Sequence, residues 1–137
     1  MIEQGLELLI QSGLGTPPMA PGGFMVQLPK DFISPNTPMA WSYRSIVSEP
    51  SYTLTGQDSW TSWEVQIDCH GYTAAHAITL ARAIDKVLRG GFSGTLPDAD
   101  HTVVQGIFRQ GSFVDGFSDT SRSYVRSLEY EVQYHQI

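Results

Sequence analysis

Thr61-Ser62-Trp63-Glu64-Val65-Gln66-Ile67-Asp68-Cys69-His70 decides the fold. Thr61, Trp63, Val65, Ile67 and Cys69 fall on one side of an extended chain, and Ser62, Glu64, Gln66, Asp68 and His70 on the other. Such a clean period of two means one dry and one wet face, the mark of an antiparallel sheet. Gly71 ends the run, and Thr73 stands where a hydroxyl caps a helix. Ala74, Ala77, Ile78, Ala81, Ile84 and Leu88 then recur at helical spacing, widened by Leu80 and Val87. Arg82, Asp85, Lys86 and Arg89 fall mostly outside this stripe, and Gly90-Gly91 stops the helix. A helix that follows such a strand packs its stripe on the sheet's apolar face.

Upstream, Trp41, Tyr43, Ser45 and Val47 alternate with Ser42, Arg44, Ile46 and Ser48, a strand ended by Glu49-Pro50, with a turn at Gly56-Gln57-Asp58. Ile2, Leu6, Leu9 and Ile10 mark a short amphipathic helix from about Ile2 to Ser12. Residues 14–40 are rich in proline and glycine and read as an extended surface loop, with Phe24–Leu28 as a brief edge strand. Downstream, His101–Gln110 reads as a strand with apolar residues on both faces, suited to the middle of a sheet, and Gly111–Thr120 as a loop. Ser121–His135 is a final strand, with Tyr124, Leu128, Tyr130, Val132 and Tyr134 on one face. The expectation is one α+β domain over residues 1–137: an antiparallel sheet of about four strands with helices packed on one face.

Charged residues make up 16% of the chain, below the about 25% of ordinary soluble domains, which suits a protein that covers much of its surface with partners. With a net charge of -6 and scattered basic residues, there is no stripe to displace counterions from nucleic acid. An acidic chain can still line a channel for DNA, because like charge keeps the polymer from sticking. The N-terminal stretch carries Glu3 and Glu7 rather than a basic region, and no apolar run approaches a membrane span, so a soluble chain is expected.

Asp68-Cys69-His70 puts an acid, a thiol and an imidazole side by side. Strand neighbours face opposite ways, so Cys69 and His70 cannot form a nucleophile pair, and Cys69 continues the buried face. A metal would have to draw on Asp68, His70 and His76; His70, His76, His101 and His135 read instead as surface or cap residues, with no cofactor expected. Trp60 begins the central strand on its polar side, either as an exposed anchor for a partner or as a local lid on the core. Phe113, Val114 and Phe117 sit in the loop between the last two strands, where apolar residues either fold back on the core or meet another subunit.

The run from Ser48 to Leu88 resembles the central block of the bacteriophage tail completion, or tail terminator, family. The Pro-x-Tyr-x-Leu-x-Gly turn is Pro50, Tyr52, Leu54 and Gly56; the strand core is Val65-Gln66-Ile67-Asp68; the helix start is Tyr72-Thr73 and Ala74-Ala75. Arg126, Leu128, Tyr130, Val132 and Tyr134 are similar to the family's last strand. The match covers residues 40–137 and the first helix, and departs at the longer proline-rich stretch 14–38. The resemblance implies a non-enzymatic virion protein of the neck region, assembled in the host cytoplasm. It implies a ring, six-fold by habit, that caps the tail tube, meets the tail tube protein and a head–tail connector, and lets DNA pass through its centre. Its interface would draw on Trp60, Phe113, Val114 and Phe117. The competing readings are a small dimeric ligand-binding or regulatory domain, and an enzyme built on Asp68, Cys69 and His70.

Overall fold

A computed structural model describes residues 2–15, 20–25, 28, 32–53, 56–89, 93–96, 102–118 and 122–135; at 24–25, 47–53, 56–60, 89 and 112 it describes the backbone alone. The elements run α1 (Ile2–Gly13), β1 (Phe24–Met25), β2 (Met39–Thr53), β3 (Gly56–Gly71), α2 (Ala74–Arg89), β4 (Gly94–Thr95), β5 (Val103–Ser118) and β6 (Ser123–His135). They form one curled sheet in the order β1-β2-β3-β6-β5-β4, antiparallel except for the β1–β2 pair. The chain is thus α+β as expected, with six strands among the described residues rather than about four.

The face of β3 that alternation marks as dry is the core. Trp63, Val65, Ile67 and Cys69 are buried with Trp41 and Tyr43 of β2, Leu128, Tyr130 and Val132 of β6, and Leu80, Ala81, Ile84 and Leu88 of α2. Helix α2 lies over β2, β3, β5 and β6, while α1 packs beside α2 and adds Ile2, Leu6 and Ile10 to the same cluster. Only α2 therefore spreads across the strands; α1 closes its flank. Thr73 caps α2 as its position predicts, its Oγ accepting from the His76 amide at 3.3 Å. Asp85 departs from the polar side assigned to it. It is buried, accepting from the Tyr130 hydroxyl at 2.6 Å and from Arg109 at 3.4 Å. Burial and that carboxylate push the Tyr130 hydroxyl well above its ordinary pKa.

Two strand ends and the place of β5 in the sheet differ from the sequence reading. Strand β2 runs through Glu49-Pro50, and Pro50 pairs with Thr61. A proline is tolerated there because the outer side of β2 asks for no N–H at that point. Strand β5 continues past Gln110 to Ser118 through a bulge between Gln110 and Val114, so Phe113, Val114 and Phe117 stand on a strand and not in a loop. Gly111 turns the bulge with φ at 66°, a conformation open to glycine. The middle of the sheet belongs to β6, with β5 on its far side flanked, among the described residues, by the two residues of β4.

Residues 14–40 are more than a surface loop. Ala20 is buried in the main core, and Leu28 and Ile33 bury against Ala40, with Phe32 packed beside them. At Gly22 a Cβ would lie 1.8 Å from the Trp41 indole nitrogen, so only glycine lets the segment close over that ring. The Trp41 amide donates to the Pro21 carbonyl at 3.2 Å, fixing the same approach. Among the described residues, no helix is long and apolar enough to cross a membrane.

Candidate functional site

The wet face of the sheet is a trough. Strand alternation turns Ser42 and Arg44 of β2, Gln66, Asp68 and His70 of β3, and Ser127 of β6 to one side. With Leu28 and the Val114–Ser118 end of β5 they line a cavity of about 310 Å³. At its inner end Ser42 and Ser123 are fully buried and His70 nearly so. The His70 ring bridges them, Nε2 lying 3.1 Å from the Ser42 hydroxyl and Nδ1 3.0 Å from the Ser123 hydroxyl. A neutral imidazole suits this, one nitrogen donating and the other accepting. Burial pulls the His70 pKa below its ordinary value, against a smaller opposing pull from Asp68. The Asp68 carboxylate accepts from the Ser127 hydroxyl at 2.7 Å and from the Gln66 amide at 2.9 Å.

This arrangement separates the three residues that looked chemical in sequence. Cys69 lies in the core on the opposite face from Asp68 and His70, and burial raises its thiol pKa far above the ordinary range. Ser42 stands within reach of an imidazole, and both are buried at the floor of the trough. His70 is buried on the trough face rather than at the surface. His76 lies in the first turn of α2, its ring 2.9 Å from the hydroxyl of the capping Thr73. Asp68, His70 and His76 therefore do not converge, and among the described residues no three His, Cys, Asp or Glu gather.

The four expected interface residues part company. Trp60 pairs in the backbone ladder with His135, and its side chain lies outside the described residues. Phe113 folds back on the core, its ring held between the guanidinium groups of Arg109 and Arg126, each 4.8 Å from its centroid. Arg126 in turn grips Asp115 through two bonds of 2.7 and 2.9 Å, which holds that carboxyl below its ordinary pKa. Val114 stays 66% exposed and Phe117 56%. Phe117 meets the exposed Tyr124 edge to face at 5.2 Å. Beside Tyr124, Ala74, Ala77 and Ile78 of α2 line a second, smaller hollow of about 120 Å³.

Of the turn and strand residues that carried the family resemblance, Val65 and Ile67 are core, Gly56 opens β3, and Pro50 and Tyr52 lie in the β2 ladder. Leu54 falls outside the described residues. Sequence reasoning missed Tyr124 and Phe108 as exposed aromatics; Tyr124 shares the face of α2, whereas Phe108, paired with Glu131, stands on the opposite, polar face. The fold and this surface define a class: a small α+β protein with a polar trough on one sheet face and exposed apolar side chains at the β5–β6 end. No family model and no curated protein matches the chain.

Proposed function

We propose that this protein is a structural ring subunit of the tail terminator kind, working by surface contact rather than by chemistry. The observation that carries the reading is the exposed apolar side chains at the β5–β6 end, Phe117 against Tyr124 on one face of the sheet and Val114 on the other, which a lone chain leaves in water. Low charge and the sequence resemblance over residues 40–137 support it. The chain exposes 7509 Å². Two ring contacts of about 800 Å² per partner would cover roughly a fifth of that, a share ordinary for an assembly subunit. On this reading the ring caps a tail tube in the virion neck, joins it to a connector, and passes DNA through an acidic channel. Phe113 serves to stiffen the β5 bulge, and Val114 and Phe117 meet the neighbour.

The test is the native mass of the purified chain over a wide concentration range, with negative-stain imaging of the same samples. The expected outcome is a closed ring, six-fold by preference. A stable dimer favours the second reading, a ligand-binding or regulatory domain, for which the 310 Å³ trough is the specific support.

A further inference from the structure

Among the described residues, Arg44 is the one arginine or lysine that strand alternation turns to the polar face of the sheet. It pairs with Gln66 and stands diagonal to Asp68, about 7–8 Å away along the ladder. A side chain as long as arginine closes such a gap, yet among the described residues no ion pair or hydrogen bond engages this guanidinium. The Asp68 carboxylate takes its bonds from Ser127 and Gln66 both on Oδ1, and Oδ2 takes none there. The two opposite charges thus line one cavity without joining. Arg44, Gln66, Val114 and Ser127 also line a second hollow of about 380 Å³, which carries the trough on to Glu129. Leu28, Val114 and Val125 supply an apolar wall. Gly116 pairs with Val125 on the same face, and a Cβ there would meet no atom within 4 Å, so its missing side chain is room given to the trough.

We infer that the trough binds a free α-amino acid with an apolar side chain. Its carboxylate meets the Arg44 guanidinium, its ammonium donates to Asp68, and its side chain lies against Leu28, Val114 and Val125. A ligand site is a hollow with an apolar lining and a few polar groups that fix orientation, and this one offers a charge of each sign. A simple anion drawn to Arg44 is repelled by Asp68 and Glu129, and a simple cation drawn to Asp68 is repelled by Arg44. A zwitterion satisfies both, and an amino acid carries its two charges on one carbon, as groups one diagonal step apart require. His70 adds no rival site at the floor, because both its ring nitrogens face serine hydroxyls. The trough's volume of about 310 Å³ lies at the low end of ligand cavities, which suits a small molecule rather than a peptide. This site goes beyond the ring reading and does not depend on it.

Titration calorimetry of the full chain near neutral pH tests it, with leucine, isoleucine, valine and methionine as probes. At least one should bind saturably, at one site per chain. The amide of that amino acid, which lacks the carboxylate, and its deaminated acid, which lacks the ammonium, should each bind at least about tenfold more weakly. Arg44→Gln should weaken the amino acid by a similar factor, and Gly116→Leu should abolish its binding by filling the trough. Both variants should keep the native urea midpoint, since Arg44 is exposed and Gly116 has open space before it. If Gly116→Leu lowers the midpoint, Arg44→Gln decides alone. Binding by none of the probes overturns the inference. So does an amide that binds as well as the amino acid, or binding that is unchanged in Arg44→Gln.

Discussion

The two faces of β3 are withdrawn from water by opposite means. On one, Trp63, Val65, Ile67 and Cys69 bury against two helices, and stability comes from apolar area and close fit. On the other, Ser42, His70 and Ser123 bury as a hydrogen-bonded ladder under a trough that no helix covers. The first face tolerates no loss of volume. The second tolerates no loss of a partner, because a buried polar group left alone keeps its full desolvation cost. A face covered by helices has finished its packing within the chain, whereas the trough and its apolar rim at Val114 still present groups to a visitor.

Breaking this contrast begins with Trp63→Ala, which should cost about 3–5 kcal/mol in a urea titration through the cavity it leaves and the lost bond from its indole to Ser45. A smaller change at the tryptophan than at any serine of the trough would reverse the ranking of the faces. Ser123→Ala comes next, at about 1–3 kcal/mol, since it strips His70 of one partner inside the protein. The same ladder predicts a pH effect. Burial lowers the folded-state pKa of His70, so the unfolded chain takes up the proton first as pH falls. The stability is fully present above about 6.5, the ordinary histidine value, and is lost as pH drops below it. Urea midpoints of the native chain should therefore fall between about pH 7 and 5 more steeply than those of His70→Gln, and parallel slopes would exclude His70 as the cause. Smallest is Arg126→Ala, at no more than about 1 kcal/mol, because its bond to Asp115 is largely exposed. Its sharper readout is Phe113, which should become more accessible to quenching or proteolysis once one of its two flanking guanidinium groups is gone.

Much of the fold was legible because β3 and α2 state their periods openly. Trp63, Val65, Ile67 and Cys69 need only a buried face, and Thr73 only a helix to cap, and both readings survive in three dimensions. What was hidden depends on residues far apart in sequence. Nothing near Asp85 announces Tyr130 and Arg109, and without them a carboxylate reads as solvent-facing. Nothing near His70 announces Ser42 and Ser123. The extension of β5 was missed because Gly111 and Ser112 read as the start of a loop, whereas a glycine bulge lets the strand bend and go on. For the same reason Phe113 was set beside Val114 as an equal, although the bulge turns one onto the core and leaves the other outside.

The position of β6 sets a timetable for synthesis. It stands between β3 and β5, yet it leaves the ribosome after all the other strands. From Trp60 to Gly71, the inner side of β3 pairs with residues 124 to 135, so it waits for the length of α2, β4 and β5 before its neighbour exists. At about 5–20 residues per second that wait lasts roughly several seconds. During it the nascent chain holds a hairpin and a helix whose apolar stripes have only half a sheet to rest on. A chain stopped short of β6 lacks the strand that joins the β2–β3 hairpin to β5, and leaves α2 without Leu128, Tyr130 and Val132 to pack on.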